Sequence, residues 1–219
     1  MRGSLRWFVL FALVVVLALV GAQVAFGATL EVGAGHTYTT IQAAVTAAAA
    51  GDTISVGAGT YAESVAVNKG VIILGVGATT IVAPPSGSPG FVVTAHDATI
   101  RDLKVTAYGA ESIGVWAADD LTIDNVQVDM TGGVAGVPGI YVRGTDPYNG
   151  SASGPSNRLK VVKSTITVEG SCNGLFASPS SSAHTGWVIG GSVLDANTMV
   201  SLGGGNSLEM YDVTSSTVR

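Results

Sequence analysis

The sequence predicts an all-β fold, a right-handed parallel β-helix (a solenoid) whose N-terminal end is capped by an α-helix. Three observations predict it: short apolar strand patterns recur along the chain, no helical pattern separates them, and one helical pattern precedes them. The composition agrees, because 30 of the 219 residues are glycine and only 11% are charged, which suits tight turns around a continuous core. Repeats of this size bury their apolar faces only by stacking on their neighbours.

The cap helix is predicted over about residues 39–50. Thr39 and Gln42 have the spacing of a capping box, and Gly51 follows as a C-terminal stop. Between them, apolar residues recur at helical spacing: Ile41, Ala44, Val45 and Ala48. A helix this short is marginal alone, so its apolar side must pack on the first turn of the solenoid.

Two strand patterns recur in each repeat. The first starts at Phe91, Ile113, Ile140, Leu175 and Val200. The second covers Ile100–Val105 and Ile123–Val128, with weaker copies at 161–168, 188–194 and 208–213. Three of these second patterns contain a polar residue that is expected to stack in a turn: Asp102, Asn125 and Asp212. Arg101 is expected to form an ion pair with Asp124 in the next repeat.

Residues 1–27 are predicted to be a signal peptide, with the β-helix domain spanning 28–219. Arg2 and Arg6 precede an apolar run, and Ala25–Gly27 has the small-x-small pattern of a cleavage site. The alternative is an uncleaved anchor, because 7–28 is long enough to span a bilayer. Either way, the protein is predicted to be secreted or displayed at the cell surface.

The charge of the chain argues against a nucleic-acid partner. Without Arg2 and Arg6, the sequence has eight basic and 15 acidic residues. Such a chain is repelled by phosphate backbones and by anionic membrane surfaces. His36 and His184 have no partner at metal-ligand spacing and are predicted to lie in solvated loops.

One stretch carries a family resemblance. Residues 38–45 have the pattern Tyr-x-Thr-Ile-Gln-x-Ala-Val, and 51–54 and 59–63 read Gly-Asp-Thr-Ile and Gly-Thr-Tyr-x-Glu. On these residues, Tyr38–Gly75 resembles the N-terminal segment of the pectin-lyase-like superfamily, and its start is similar to pectin methylesterases. The resemblance implies a right-handed β-helix capped by a helix.

The same resemblance does not imply esterase activity. Pectin methylesterases share Gln-Asp-Thr, Asp-Phe-x-Phe-Gly and Leu-Gly-Arg-Pro-Trp segments, and none of these occurs in this sequence. The nucleophilic carboxylate and the oxyanion donors therefore have no matching positions. A fold by itself does not fix a function.

An outward row of aromatic residues is the first candidate site. If Ile113 and Val115 point into the core, alternation along the strand places Gly114 and Trp116 on the outer face, and inward Ile140 and Val142 place Tyr141 and Arg143 there. The predicted carbohydrate-binding residues are Trp116, Tyr141, Arg143 and Phe176. Aromatic rings can stack on sugars, and arginine can bind hydroxyls or carboxylates. The alternative is an apolar face covered by the insertion at 144–157.

An acidic turn is the second candidate site. The pair His96–Asp97 aligns with Asp119–Asp120 one repeat later, and the following insertion contains Asp146. Asp97, Asp119, Asp120 and Asp146 could hold Ca²⁺, which takes oxygen ligands. Asp97, Asp119 and Asp120 are also weak catalytic candidates, together with Arg143. The other interpretation is a solvated acidic turn without cofactor.

The C-terminal end shows no capping pattern, so the last strands are expected to present open edges. Such edges suggest self-association or a continuation of the chain. The leading functional hypothesis is a non-catalytic module that binds a polysaccharide or cell-envelope glycan, or has a structural role. The alternative is a Ca²⁺-dependent polysaccharide lyase or a hydrolase or esterase. A scaffold without any ligand is the third hypothesis.

Overall fold

The protein is an all-β parallel β-helix, as the sequence predicted. The computed structural model describes residues 27–132, 136–143, 154–170, 172–178, 183–190, 197–202, 208–210, 213–214 and 216–218. The predicted leader, apart from Gly27, lies outside these residues. Within them, no helix has both the length and the apolar character needed to cross a membrane.

The secondary structure of the described residues is one α-helix, α1 (Ile41–Ala47), a 3-10 turn at Gly77–Thr79, and parallel strands. The first strands are β1 (Thr29–Val32), β2 (Thr53–Val56), β3 (Gly59–Tyr61), β4 (Val65–Val67), β5 (Ile72–Leu74), β6 (Thr80–Val82), β7 (Phe91–Val93), β8 (Thr99–Val105), β9 (Ile113–Trp116) and β10 (Thr122–Met130). They continue as β11 (Ile140–Arg143), β12 (Lys160–Val162), β13 (Thr165–Val168), β14 (Leu175–Ala177), β15 (His184–Thr185), β16 (Val188–Ile189), β17 (Thr198–Ser201), β18 (Leu208–Met210), β19 (Val213–Thr214) and β20 (Thr217–Val218).

The strands form three faces around one core. The first face stacks β1, β2, β5, β8, β10, β12, β16 and β20, and the second stacks β3, β6, β8, β10, β13 and β17. These two faces join because β8 and β10 run through both. The third face is a six-stranded sheet in the order β4, β7, β9, β11, β14 and β18. A short pair, β15 and β19, lies beside them.

The corner between the first two faces is a stack of residues in the left-handed region. Asp102, Asn125 and Lys163 have φ of 55°, 54° and 53°. The Asn125 amide donates to the Asp102 carboxylate at 2.7 Å, and short polar side chains tolerate this conformation best. The predicted polar stack is therefore confirmed for Asp102 and Asn125, whereas Asp212 lies outside the described residues.

Arg101 and Asp124 lie side by side in register, as predicted. The expected ion pair between them is wrong. Arg101 Nε instead donates to its neighbour Asp102 at 2.8 Å, and Asp124 lies 3.9 Å from Lys163 Nζ. The reason is that Asp102 bends the strand at this corner and brings its own carboxylate to Arg101.

Buried side chains stack in rows through the core. One row on the first face is Ile54, Ile73, Ile100, Ile123 and Val161. A second row on the six-stranded sheet is Val65, Phe91, Ile113, Ile140 and Leu175. Identical spacing between rungs, about 4.8 Å, lets each side chain cover the next, which supplies most of the stabilisation of a solenoid.

The cap helix is shorter than predicted and is held differently. Its N-cap is Thr40, whose Oγ1 accepts the Ala43 N–H at 3.2 Å, so the predicted Thr39–Gln42 capping box is wrong. The Glu63 carboxylate accepts the main-chain N–H groups of Ile41 and Gln42 at 2.7 and 2.9 Å. Gln42 reaches instead to the Ala66 N–H at 2.7 Å. Tertiary contacts thus override the local pattern.

The C-terminal side of α1 is held by two side chains from the first rungs. Lys69 Nζ donates to the carbonyls of Thr46 and Ala48, both at 2.7 Å, where a cation also complements the helix dipole. Buried Asp52 accepts the main-chain N–H groups of Ala28 and Ala49 at 2.7 and 2.8 Å. The helix ends before Gly51, which has φ of 88° in the turn that follows.

The strand starts at Phe91, Ile113, Ile140 and Leu175 are confirmed. The fifth predicted start is wrong: Val200 belongs to β17, which pairs with β13 on the second face. The six-stranded sheet continues instead at Leu208, opposite Leu175. Weak apolar patterns after Val168 fit either face, because each strand there has only two to four residues.

Candidate functional site

The outer surface of the six-stranded sheet brings the predicted aromatic residues together. Tyr141 of β11 lies between Gly114 of β9 and Phe176 of β14 in parallel register. Arg143 lies beside Trp116, two residues further along the same strands. The alternation that the sequence predicted therefore gives the correct register at these positions.

Trp116 is not the exposed member of the row that the sequence predicted, because its side chain is fully buried. Its indole lies over Gly114 of its own strand, so closely that any side chain at Gly114 would collide with the ring. Alternation along the strand determined on which side of the sheet the indole lies. Because Gly114 has no side chain, the ring packs directly on the backbone of Gly114. Trp116 therefore offers no exposed stacking surface on this face.

Tyr141, Phe176 and Arg143 form a contacting group on this face, and all three are half-buried. The rings of Tyr141 and Phe176 meet edge to face, with centroids 5.2 Å apart and planes at 73°, a favoured aromatic geometry. The guanidinium carbon of Arg143 lies 4.0 Å from the Tyr141 ring centroid, within the range of a cation–π contact.

Arg143 lacks a polar partner among the described residues. It forms no ion pair there, and its buried Nε has no hydrogen-bond partner. A partly buried cation is costly without a counter-charge. The side chain is therefore suited to receive an anion or a hydrogen-bond acceptor.

Two neighbouring pockets that both include Tyr141 in their lining are together called the cleft, and each pocket is called an arm. The aromatic arm, about 220 Å³, is lined by Gly136, Pro138, Tyr141, Asn173 and Phe176. The charged arm, about 180 Å³, includes Glu111, Pro138, Tyr141 and Arg143 in its lining. Both arms include Gly136, Pro138 and Tyr141 in their lining, so they lie side by side on this face.

Sequence reasoning missed the rim of this cleft. Glu111, Pro138 and Asn173 each stand two residues before a strand start, at Ile113, Ile140 and Leu175. The turns stack there, since the Gly90 N–H donates to the Glu111 carbonyl and the Gly139 N–H to the Asn173 carbonyl. Aligning the repeats by their strand starts would have placed all three residues in one column.

The acidic turn is also aligned as predicted, but its charges are used within the protein. The Asp97 N–H donates to the Asp119 carbonyl of the next rung. Arg158, one rung further, donates from Nε and NH2 to both carboxylate oxygens of Asp120 at 2.6 Å. Asp119 accepts the Asn157 N–H at 2.7 Å and lies 3.6 Å from Arg158.

This arrangement differs from the predicted acid–base group in its arginine. The structure brings Asp119 and Asp120 to Arg158, whereas Arg143 forms no ion pair with them in the described part of the chain. The hydrogen bonds from Arg158 lower the pKa of Asp120, which makes this carboxyl a poor proton donor. Arg158 was not predicted, and its alignment with Asp120 was the signal.

The calcium prediction remains a prediction. Among the described residues, no group of three or more His, Cys, Asp or Glu side chains could hold a metal ion. Asp146, the fourth predicted ligand, lies outside the described residues. The contacts of Asp119 and Asp120 with Arg158 would have to be exchanged for a cation to bind there.

The two histidines predicted to be solvated differ from each other. His36 is exposed, but His184 is fully buried, so the second prediction is wrong. His184 Nδ1 accepts the Ser156 N–H at 2.9 Å, and its Nε2 lies 3.2 Å from the Ser178 carbonyl. Its ring packs against buried Trp187, with centroids 5.2 Å apart. These contacts show a structural histidine.

Comparison with known proteins assigns neither a family nor a function to the chain. No protein-family model matches the chain, and no curated protein sequence does. Among solved structures, the chain is similar to the alginate lyase from Paenibacillus sp. str. FPU-7, with a TM-score of 0.33 and 12% identity. That match covers 84% of this chain and 98% of the lyase chain. At this identity neither activity nor substrate carries over.

Proposed function

We propose that this protein is a non-catalytic glycan-binding module whose ligand rests in the cleft around Tyr141. The observation that carries this proposal is the placement of Tyr141, Arg143 and Phe176. Tyr141 contacts both Phe176 on the next rung and Arg143 on its own strand. Tyr141 lines both arms of the cleft, Phe176 lines the aromatic arm, and Arg143 lines the charged arm. Sugar rings pack on aromatic surfaces through their C–H faces, and guanidinium groups bind hydroxyl or acidic oxygens.

The architecture suits a polymeric ligand. The cleft runs across rungs that are spaced about 4.8 Å apart, so consecutive sugars of a chain can meet consecutive turns of the solenoid. Rigid strands position the three contact residues, which limits the ordering cost of binding.

A catalytic role has no comparable support among the described residues. The carboxylates of Asp119 and Asp120 are held by Arg158 and by main-chain donors. Glu111 lines the charged arm and Glu209 borders the aromatic arm. The strands β9 and β18 next to these residues are three rungs apart, about 14 Å, which is too far for the pair of carboxyl groups that flanks the scissile bond in a glycosidase. The proposal therefore gives the cleft a binding role.

The proposal also includes a location and a kinship. The predicted leader over residues 1–27 places the module outside the cytoplasm, where a polysaccharide or cell-envelope glycan would be its partner. The motifs of Tyr38–Gly75 support kinship with the pectin-lyase-like superfamily. In the structure, Asp52, Tyr61 and Glu63 of these motifs hold the cap together, so the kinship concerns the scaffold.

A glycan array followed by isothermal titration calorimetry tests the proposed function. The wild-type protein should bind at least one oligosaccharide, and Tyr141→Ala and Phe176→Ala should each weaken that binding roughly 2- to 10-fold. Ile72→Ala removes an exposed apolar side chain from the first face and is the matched control. Binding that is equal in all four proteins would overturn the proposal.

A second assay separates binding from catalysis. Incubating the protein with acidic polysaccharides, with and without Ca²⁺, and following unsaturated products by absorbance should show no turnover. Product formation that Asp120→Asn abolishes would establish the enzyme hypothesis in place of the binding module.

A further inference from the structure

The two arms of the cleft differ in chemistry. The aromatic arm contains Phe176 and Asn173, and Glu209 of β18 lies beside Phe176 in register. The Asn173 amide donates to the Glu209 carboxylate at 2.7 Å. Glu209 does not line this arm itself, but it borders the arm through Phe176 and Asn173. The arm thus combines a stacking surface and an amide oxygen with a negative charge at its edge.

That chemistry selects a neutral sugar ring. Hydroxyl groups can donate to the carbonyl oxygen of Asn173 and to the carboxylate of Glu209, while the ring packs against Phe176. A ring that carries a carboxylate or sulfate would meet the like charge of Glu209 at close range, which is unfavourable in a partly desolvated site.

The charged arm favours the opposite ligand. Arg143 lies there with a buried Nε that has no hydrogen-bond partner and without an ion pair among the described residues. A planar guanidinium accepts a carboxylate or a sulfate through two parallel hydrogen bonds. Glu111, 7% exposed, lines the same arm, and its charge opposes a second anionic group. This arm therefore suits one anionic residue.

We infer that the cleft recognises a linear glycan in which a neutral sugar is followed by an anionic one, with Tyr141 marking the junction. Phe176 and Glu209 select the neutral residue, and Arg143 selects the anionic residue. This inference rests on the proposed glycan-binding function and specifies its ligand: a chain of alternating charge, at least two residues long. A uniformly neutral chain leaves Arg143 without a counter-charge, and a uniformly acidic chain brings a charge against Glu209.

Calorimetry with three tetrasaccharides tests the inference. The probes are neutral cellotetraose, tetragalacturonate, and a tetrasaccharide that alternates glucuronate with N-acetylglucosamine. The alternating probe should bind at least about tenfold more tightly than the other two, as one charge-assisted pair predicts. Equal or tighter binding of either uniform probe would overturn the inference while leaving the glycan-binding function intact. If the protein binds none of the three probes and no glycan on an array, both the inference and the proposed glycan-binding function are overturned.

Two variants assign the selectivity to its residues. Arg143→Gln should weaken binding of the alternating probe about tenfold and change cellotetraose binding less than about twofold. Glu209→Gln should improve tetragalacturonate binding and leave the alternating probe nearly unchanged. Arg101→Gln removes an exposed arginine outside the cleft and is the control for net charge. A loss in Arg143→Gln that is equal for all three probes, or equal to that of Arg101→Gln, would contradict the assignment.

Discussion

The cap region and the cleft differ in how their polar groups are used. A groove of about 430 Å³ lies beside the cap and is lined by small residues together with Thr40, Tyr61 and Glu63. Both Glu63 carboxylate oxygens accept main-chain N–H groups of α1, and the Tyr61 hydroxyl donates to the Gly57 carbonyl at 3.0 Å. At the cleft, by contrast, Arg143 Nε has no hydrogen-bond partner.

Because of this difference, the volume of a groove alone does not identify a ligand-binding site in this fold. The cap groove is larger, yet its polar groups already satisfy the helix and the first rungs. The arms of the cleft are smaller, but they present an aromatic pair and an arginine that has no ion pair among the described residues. Polar groups that hydrogen-bond within the protein stabilise the fold. Partly buried polar groups on a binding surface that lack such partners are candidates for contacts with a ligand.

The largest expected effect is the loss of stability when the buried indole of Trp116 is removed. Trp116→Ala should lower the free energy of unfolding by about 3–5 kcal/mol, because a fully buried indole is replaced by a cavity above Gly114. Urea denaturation followed by circular dichroism measures this change. A loss below about 1 kcal/mol would show that the indole is not packed as described.

The next largest effect is expected at Arg143, where glycan affinity and stability should respond differently to substitution. Arg143→Gln should weaken anionic glycan binding about tenfold. It should leave the free energy of unfolding unchanged or slightly raised, because it removes a partly buried cation that has no ion pair among the described residues. Calorimetric binding and urea denaturation of the same preparation separate the two quantities. Destabilisation with unchanged affinity would assign Arg143 to the scaffold.

The converse result is expected at the cap. Glu63→Ala should lower the free energy of unfolding by about 1 kcal/mol, because two N–H groups of α1 lose their acceptor. Glu63→Gln retains one acceptor and should lose less. Glycan affinity should be the same in both variants and in the wild type, and a reduced affinity would place part of the binding surface at the cap.

The smallest effect concerns pH. The hydrogen bond from Lys104 lowers the pKa of Asp129, so the folded state prefers the carboxylate. This preference stabilises the fold above the unfolded pKa of about 3.9, and it is lost as the pH falls through the lower folded pKa. Asp129→Asn should flatten the acid side of the stability curve by less than about 1 kcal/mol, compared with Glu31→Gln as an exposed control. An identical curve in both variants would contradict the assignment.

Periodicity predicted the fold because each rung repeats the same apolar spacing. The strand starts at Phe91, Ile113, Ile140 and Leu175 and the polar corner at Asp102 and Asn125 follow from local residue types alone. These features depend on turn chemistry and side-chain alternation, which neighbouring residues determine.

Other features could not be predicted because they depend on contacts between distant residues. The burial of Trp116 depends on the missing side chain of Gly114, and the start of α1 at Thr40 depends on Glu63 from the connection between β3 and β4. The ion pair of Asp120 with Arg158 spans an insertion that separates the two residues in sequence. Alternation gives the direction of a side chain but not what covers it.

The central claim is that the glycan binds at the cleft and not at the cap. Backbone amide shifts of the ¹⁵N-labelled protein, followed by NMR during titration with the tightest oligosaccharide from the array, test it most directly. The account predicts shifts concentrated at Tyr141, Arg143, Asn173 and Phe176, with the amides of Gly59, Tyr61 and Glu63 unchanged. Shifts concentrated at the cap amides, or none at the cleft under saturating ligand, would contradict it.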